Sequence, residues 1–119
     1  MGLTSVTMKV RKHKESDHFF EAKFLVDSGA MFSVAPADEL RKIGVVPDEE
    51  ETFSLADGQS ITRKLGDAYF EYEGKGGYAK VIFGEEGDLN LLGVMTLEAC
   101  RLVLHPFRRE LRPLPMLLA

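Results

Sequence analysis

Alternation between apolar and polar side chains is what most limits the architectures open to this 119-residue chain. Across Thr4–Arg11, Val6, Met8 and Val10 fall on one face and Thr7, Lys9 and Arg11 on the other, the two-residue period of a half-buried strand. A second strand is expected over Phe19–Val26, most apolar at Phe24-Leu25-Val26, where it would enter a core. The polar run His13–His18 joins the two as a hairpin connection. Gly29 marks a turn, and Met31–Ala35 resumes an apolar, strand-like segment. Asp57-Gly58, between Phe53–Ala56 and Ser60–Leu65, predicts a hairpin with a type I′ turn, whose two central residues both need positive φ. Gly74–Gly77, between Ala68–Glu73 and Tyr78–Phe83, predicts another. Leu102–Leu104 and Glu110–Leu114 are expected as closing strands separated by Pro106.

Two short helices interrupt this pattern. Pro36 suits a first helical position, Asp38 and Glu39 suit the positive end of the dipole, and Lys42 suits the other end. Leu40 and Ile43 share a face there, and Gly44 terminates the segment. The second helix is expected over Thr96–Cys100, with Cys100 a buried small hydrophobe. Pro47 with Asp48–Glu51 reads as an exposed acidic loop, and Gly84–Asn90 as another loop. No repeat or linker divides the chain, so residues 1–119 are expected to form a single all-β domain with two short helices.

Charge and cysteine content narrow the function classes. A net charge of -4 argues against binding a phosphate backbone, and the basic groups Arg11-Lys12-His13-Lys14 and Arg108-Arg109 are each followed by acidic neighbours. A single cysteine excludes an intrachain disulfide scaffold. No apolar run is long enough to cross a bilayer, Met1–Val6 lacks the charged start of a signal peptide, and Gly2 lacks the Ser or Thr that myristoylation needs at position 6. A cytoplasmic protein with neither nucleic acid nor membrane as partner is expected. His13, Asp17 and His18 lack a recognised ligand spacing and read as solvated surface, not as a metal site.

The stretch that carries chemistry is Phe24-Leu25-Val26-Asp27-Ser28-Gly29-Ala30. An apolar strand delivers a carboxylate into a turn, and a carboxylate at the end of a buried strand is costly unless it is paired or hydrogen-bonded. Ionisable groups in such places are candidates for function. Ser28 adds a hydroxyl, and Gly29 permits unusual φ or close approach of a ligand. No Gly-x-Ser-x-Gly frame surrounds Ser28, so a serine nucleophile is not indicated.

Asp27-Ser28-Gly29-Ala30 behind an apolar strand resembles the active-site loop of aspartic proteases. Asn90-Leu91-Leu92-Gly93, followed by a short helix, resembles the apolar-apolar-Gly landmark that retroviral-type enzymes (retropepsins) carry behind that loop. The two motifs, the intervening hairpins and the chain length together resemble the retropepsin-like family from roughly Val6 to Leu104. The resemblance implies a closed, barrel-like half of an acid protease that works as a twofold homodimer, because one chain carries one Asp-Ser-Gly. It implies that Asp27 from each subunit activates a shared water and protonates the leaving amine, with one proton held between the two carboxylates. Ser28 would bond across the twofold axis. Gly29, Ala30 and Met31 would bind an extended polypeptide through their backbone, and Leu91, Leu92 and Gly93 would support the loop from behind. A flap from about Phe53 to Thr62, with Ala56, Asp57 and Gly58 at its tip, would close over the substrate. No metal or organic cofactor is implied.

Met31-Phe32 stands where retroviral enzymes usually have acidic residues, so more apolar subsites are expected. Val94-Met95 stands where they often have Arg, and the chain beyond Cys100 is longer, which makes Leu102–Leu114 the expected dimer contact. Other readings remain beside this one. Asp27 would serve equally as a structural Asx-turn residue. A non-catalytic peptide-binding or assembly module on the same fold is the alternative function. A monomeric hydrolase using Glu85 or Glu86 is a third.

Overall fold

Pairing of the alternating stretches produces a sheet that returns on itself. The computed structural model describes residues 3–105 and 107–115. Its elements run β1 (Ser5–Arg11), β2 (Phe19–Val26), β3 (Ser33–Pro36), α1 (Ala37–Lys42), β4 (Glu49–Ser54), β5 (Ser60–Tyr72), β6 (Lys75–Gly84), β7 (Leu91–Leu92), α2 (Val94–Ala99), β8 (Leu102–His105) and β9 (Glu110–Pro113). The main sheet has the order β1-β2-β7-β3-β6-β5-β4, and β1 also pairs with β5 through Val10 and Phe70. Six strands therefore form a ring, and β4 hangs outside it on β5. β8 and β9 form a separate two-stranded sheet. Among the described residues, no helix is long and apolar enough to cross a membrane.

The ring encloses the core because the period of two sends alternate side chains inward. Val6, Met8 and Val10 of β1 are buried, while Thr7 between them is exposed. Phe24 of β2 meets Phe70 of β5 edge to face, with ring centroids 6.1 Å apart. Phe83, Val81, Leu40 and Leu92 belong to the same buried cluster. Leu102 and Leu111 reach the same cluster and anchor the β8–β9 hairpin to it.

Several local expectations change. The acidic segment expected as a loop is largely strand: β4 starts at Glu49 and pairs with β5 from Glu49↔Leu65 to Ser54↔Ser60. Backbone pairing does not require a buried face, and cations offset the charge, with Lys80 bonded to Glu49 and Lys64 and Arg63 opposite Glu50 and Glu51. β5 is one 13-residue strand instead of two shorter ones. It continues through Gly66, where a Cβ would lie 2.9 Å from the Val46 carbonyl oxygen, so only a bare backbone passes.

The tight turns are distributed differently from the sequence reading. At Asp57-Gly58 only Gly58 has positive φ (+87°). Gly58 N–H donates to the Leu55 carbonyl (3.0 Å) and Leu55 N–H to the Gln59 carbonyl (2.7 Å). That is a three-residue loop with glycine at the left-handed position, which leaves Asp57 free to accept the Gln59 N–H at 2.9 Å. The two-residue turn with both φ positive is Glu73 (47°) and Gly74 (83°), closing Tyr72↔Lys75, while Gly76 and Gly77 belong to β6.

Pro36 ends β3 opposite Gly84 and acts as the N-cap of α1, not its first residue. α2 begins at Val94, two residues earlier than expected, and Cys100 is its C-cap. The break assigned to Pro106, and Gly2, lie outside the described residues.

Candidate active site

The ring brings the two sequence landmarks into direct contact. β7 lies parallel to β2, with Leu25↔Leu91 and Val26↔Leu92. Asp27 is the next residue, and its N–H donates to the Leu92 carbonyl at 3.0 Å. The chain then turns: Ala30 N–H donates to the Asp27 carbonyl (3.1 Å), and Gly29 N–H to Asp27 Oδ1 (3.0 Å). This is an Asx turn around a half-buried carboxylate. Oδ2 accepts no hydrogen bond among the described residues and stays available. Ser28 and Gly29 are exposed. Gly29 does not have positive φ; a Cβ there would meet Asp27 Oδ1 at 3.3 Å, so crowding against the carboxylate, not backbone conformation, favours glycine.

The start of α2 holds the other side of the loop. Its first backbone donors find acceptors in the turn, Val94 N–H on the Ala30 carbonyl (2.8 Å) and Met95 N–H on the Met31 carbonyl (3.1 Å). Those bonds demand very close approach at Gly93, where a Cβ would lie 2.6 Å from the Phe32 carbonyl carbon and oxygen. Leu91, Leu92 and Gly93 thus pack directly against the Asp27–Phe32 segment.

Two contributors were not singled out in the sequence. Ser33 and Thr96 are fully buried, their hydroxyls bond each other, and Ser33 Oγ accepts the Gly93 N–H at 2.9 Å. The only signal was a hydroxyl inside each of two apolar segments.

Beside the loop lies an apolar groove. One cavity of ≈ 400 Å³ is lined by Ala30, Met31, Phe32, Val34, Phe53, Ile82 and Leu91. A second, of ≈ 290 Å³, shares Val34, Phe53, Ile82 and Leu91 and extends to Ile61, Arg63 and Asp88. The β4–β5 hairpin forms one wall through Phe53 and Ile61, which face each other across the hairpin. Ala56, Asp57 and Gly58 are exposed at its tip and line neither cavity. A larger hollow of ≈ 510 Å³, edged by Lys9, Glu21, Glu71 and Arg109, includes no residue of the Asp27 loop.

Arg63 closes the far end of the groove. Its Nε and Nη2 hold both oxygens of Asp88 (2.8 and 3.1 Å), and Glu85 Oε1 lies 3.6 Å from Nη1. The guanidinium hydrogen bond holds the Asp88 carboxyl below the usual carboxylate range, and the same bond raises Arg63. Asp88 also accepts the Glu85 N–H (2.8 Å), so the hairpin is tied to the loop that precedes β7. Among the described residues, no group of three or more His, Cys, Asp or Glu is placed to hold a metal ion.

No family model matches the chain, and no curated protein is significantly similar to it.

Proposed function

We propose that the chain is one half of a homodimeric, retropepsin-like aspartic endopeptidase, with Asp27 of each copy forming the acid pair. The observation that carries this reading is one half-buried carboxylate in a loop braced through backbone bonds by β7 and α2, whose Ala30 and Met31 line an apolar groove walled by the β4–β5 hairpin. A single chain supplies only half of the chemistry. Asp88, the carboxylate that lines the groove, is engaged by Arg63 and is not free to act as acid or base. A second copy related by a twofold axis supplies the missing partner. One carboxylate then takes a proton from a water held between the two, and the water oxygen attacks the scissile carbonyl. The other, protonated, gives its proton to the departing amine as the carbon–nitrogen bond breaks. The substrate is an extended polypeptide whose apolar side chains enter the groove at Val34, Phe53, Ile82 and Leu91.

The test is incubation with an unfolded polypeptide from acidic to neutral pH, with and without an aspartic-protease transition-state mimic. Cleavage that the mimic blocks, and that Asp27→Asn abolishes while the fold persists, is the expected result. Full activity in Asp27→Asn would falsify the assignment. A non-catalytic peptide-binding module is favoured by one specific observation, the Asx turn that already occupies Asp27 Oδ1. Tight peptide binding without cleavage would select it.

A further inference from the structure

We infer that Ser33 and Thr96 form a buried hydroxyl bracket that positions Asp27 through the Leu92–Gly93 peptide unit. The functional consequence rests on the protease reading above; the structural coupling does not. The two ends of this one peptide plane have different partners. Its N–H donates to Ser33 Oγ at 2.9 Å, and its carbonyl accepts the Asp27 N–H at 3.0 Å. Behind Ser33, Thr96 of α2 bonds the same hydroxyl. Both side chains are 0 % exposed.

Ser33 occupies an inward position of β3, alternating with buried Ala35, where an apolar residue would satisfy the strand pattern equally well. A hydroxyl there does something an apolar residue does not. It satisfies the buried Gly93 N–H, which would otherwise lose this partner, at 2.9 Å. Holding that N–H fixes the rotation of the peptide plane, and polarising it strengthens the carbonyl as an acceptor on the opposite side. The acceptor's only shown donor from the turn is Asp27, so the bracket sets where β2 ends and where the carboxylate starts. Ser33 and Thr96 touch no substrate in this scheme and are positioning residues. Displacements near 1 Å at reacting groups cost about a hundredfold in rate, so modest slack would be visible in turnover.

Three variants test this: Ser33→Ala, which removes the bracket; Thr96→Val, nearly isosteric, which removes only its outer member; and Ser33→Thr, which restores a hydroxyl. Amide hydrogen exchange is read residue by residue alongside kcat and KM. In Ser33→Ala the Asp27 amide should exchange about tenfold faster than the change in global stability accounts for, with kcat reduced about ten- to a hundredfold and KM within about twofold. Thr96→Val should shift both in the same direction by a smaller factor, and Ser33→Thr should recover both. An Asp27 amide that responds only through global unfolding would overturn the bracket, and so would a destabilised Ser33→Ala with unaltered kcat. If Ser33→Ala does not fold, Thr96→Val decides by the same two measurements. If the wild-type protein cleaves nothing, the protease reading fails while the exchange data still decide the coupling.

Discussion

Two glycines of the candidate site are glycines for different reasons, and substitution separates them. At Gly93 the intruding atoms would be backbone, 2.6 Å away, and Phe32 cannot retreat without pulling the loop from α2. Gly93→Ala should therefore cost about 1–3 kcal/mol or more, read as a lower urea midpoint. At Gly29 the nearest atom is Asp27 Oδ1 at 3.3 Å, the end of a side chain. Gly29→Ala should leave stability within about 0.5 kcal/mol but push the carboxylate aside, so peptide hydrolysis should fall far more than the urea midpoint. Cys100 behaves as its surroundings dictate: burial pushes its thiol up to about 11. Because that folded value is raised above 9.0, its contribution to stability is complete below pH 9 and is lost as pH climbs through about 11. Burial raises Tyr69 and Tyr72 as well, with the same sign. Urea midpoints should therefore decline between pH 9 and 11, and a thiol-reactive dye at pH 8 should label Cys100 only after unfolding. At this scale Asp27 was legible, because a carboxylate that ends an apolar run is conspicuous. Ser33 and Thr96 were not, since a lone hydroxyl in an apolar segment gives no hint of the peptide unit it will meet across the fold.

Among the elements, the β4–β5 hairpin depends least on the core and most on its turn and its charges. Every β4 residue but Phe53 is exposed, so the segment has no inward face for alternation to reveal; its acidic composition read as loop for that reason. β5 was cut in two by the same logic, since Gly66-Asp67 looks like a break unless the close pass beneath Val46 is known. β1 and β2 were readable because alternate residues of each are buried. At the hairpin tip a Cβ on Gly58 would meet nothing within 4 Å, so Gly58→Ala should cost only the left-handed backbone conformation, about 1 kcal/mol. That loss should be confined to the hairpin, as faster amide exchange in β4 and the adjoining end of β5. At its base the Arg63–Asp88 pair has the opposite pH sense to Cys100. Asp88 is held below its ordinary 3.8, so the pair's contribution is whole above that pH and disappears as acid titrates through the lowered value. Asp88→Asn should mimic the acid state at neutral pH. It should destabilise by about 1–2 kcal/mol and speed exchange in β4 and β5 while sparing β1 and β2.

For the molecule as a whole, the β8–β9 hairpin packs one face on the core through Leu102 and Leu111 and turns the other outward. Truncating the chain before Leu102 would be a poor probe of assembly, because Leu102 and Leu111 are 4 % and 5 % exposed and belong to the core. Val103 (41 %), Phe107 (90 %) and Leu114 (39 %) are instead the apolar side chains this sheet presents outward. If two copies meet here around a twofold axis, the patch faces itself and so does its charge. Residues 101–115 carry Arg101, Arg108, Arg109 and Arg112 against Glu110 alone, an excess of three positive charges on each copy with histidine neutral. Apolar attraction then works against like-charge repulsion, and salt screens only the repulsion. Dimerisation measured by sedimentation equilibrium should therefore tighten between 50 and 500 mM salt at neutral pH, by several-fold in Kd. Val103→Asn with Phe107→Ser should weaken it at least tenfold, about 1.4 kcal/mol, without lowering the urea midpoint of the monomer. If two Asp27 carboxylates form the proposed acid pair, specific activity should follow the dimer fraction on dilution. A dimer that loosens with salt and ignores both substitutions would place the interface on another face. Undiminished activity from molecules sedimenting as monomers would remove the need for a second Asp27 at all.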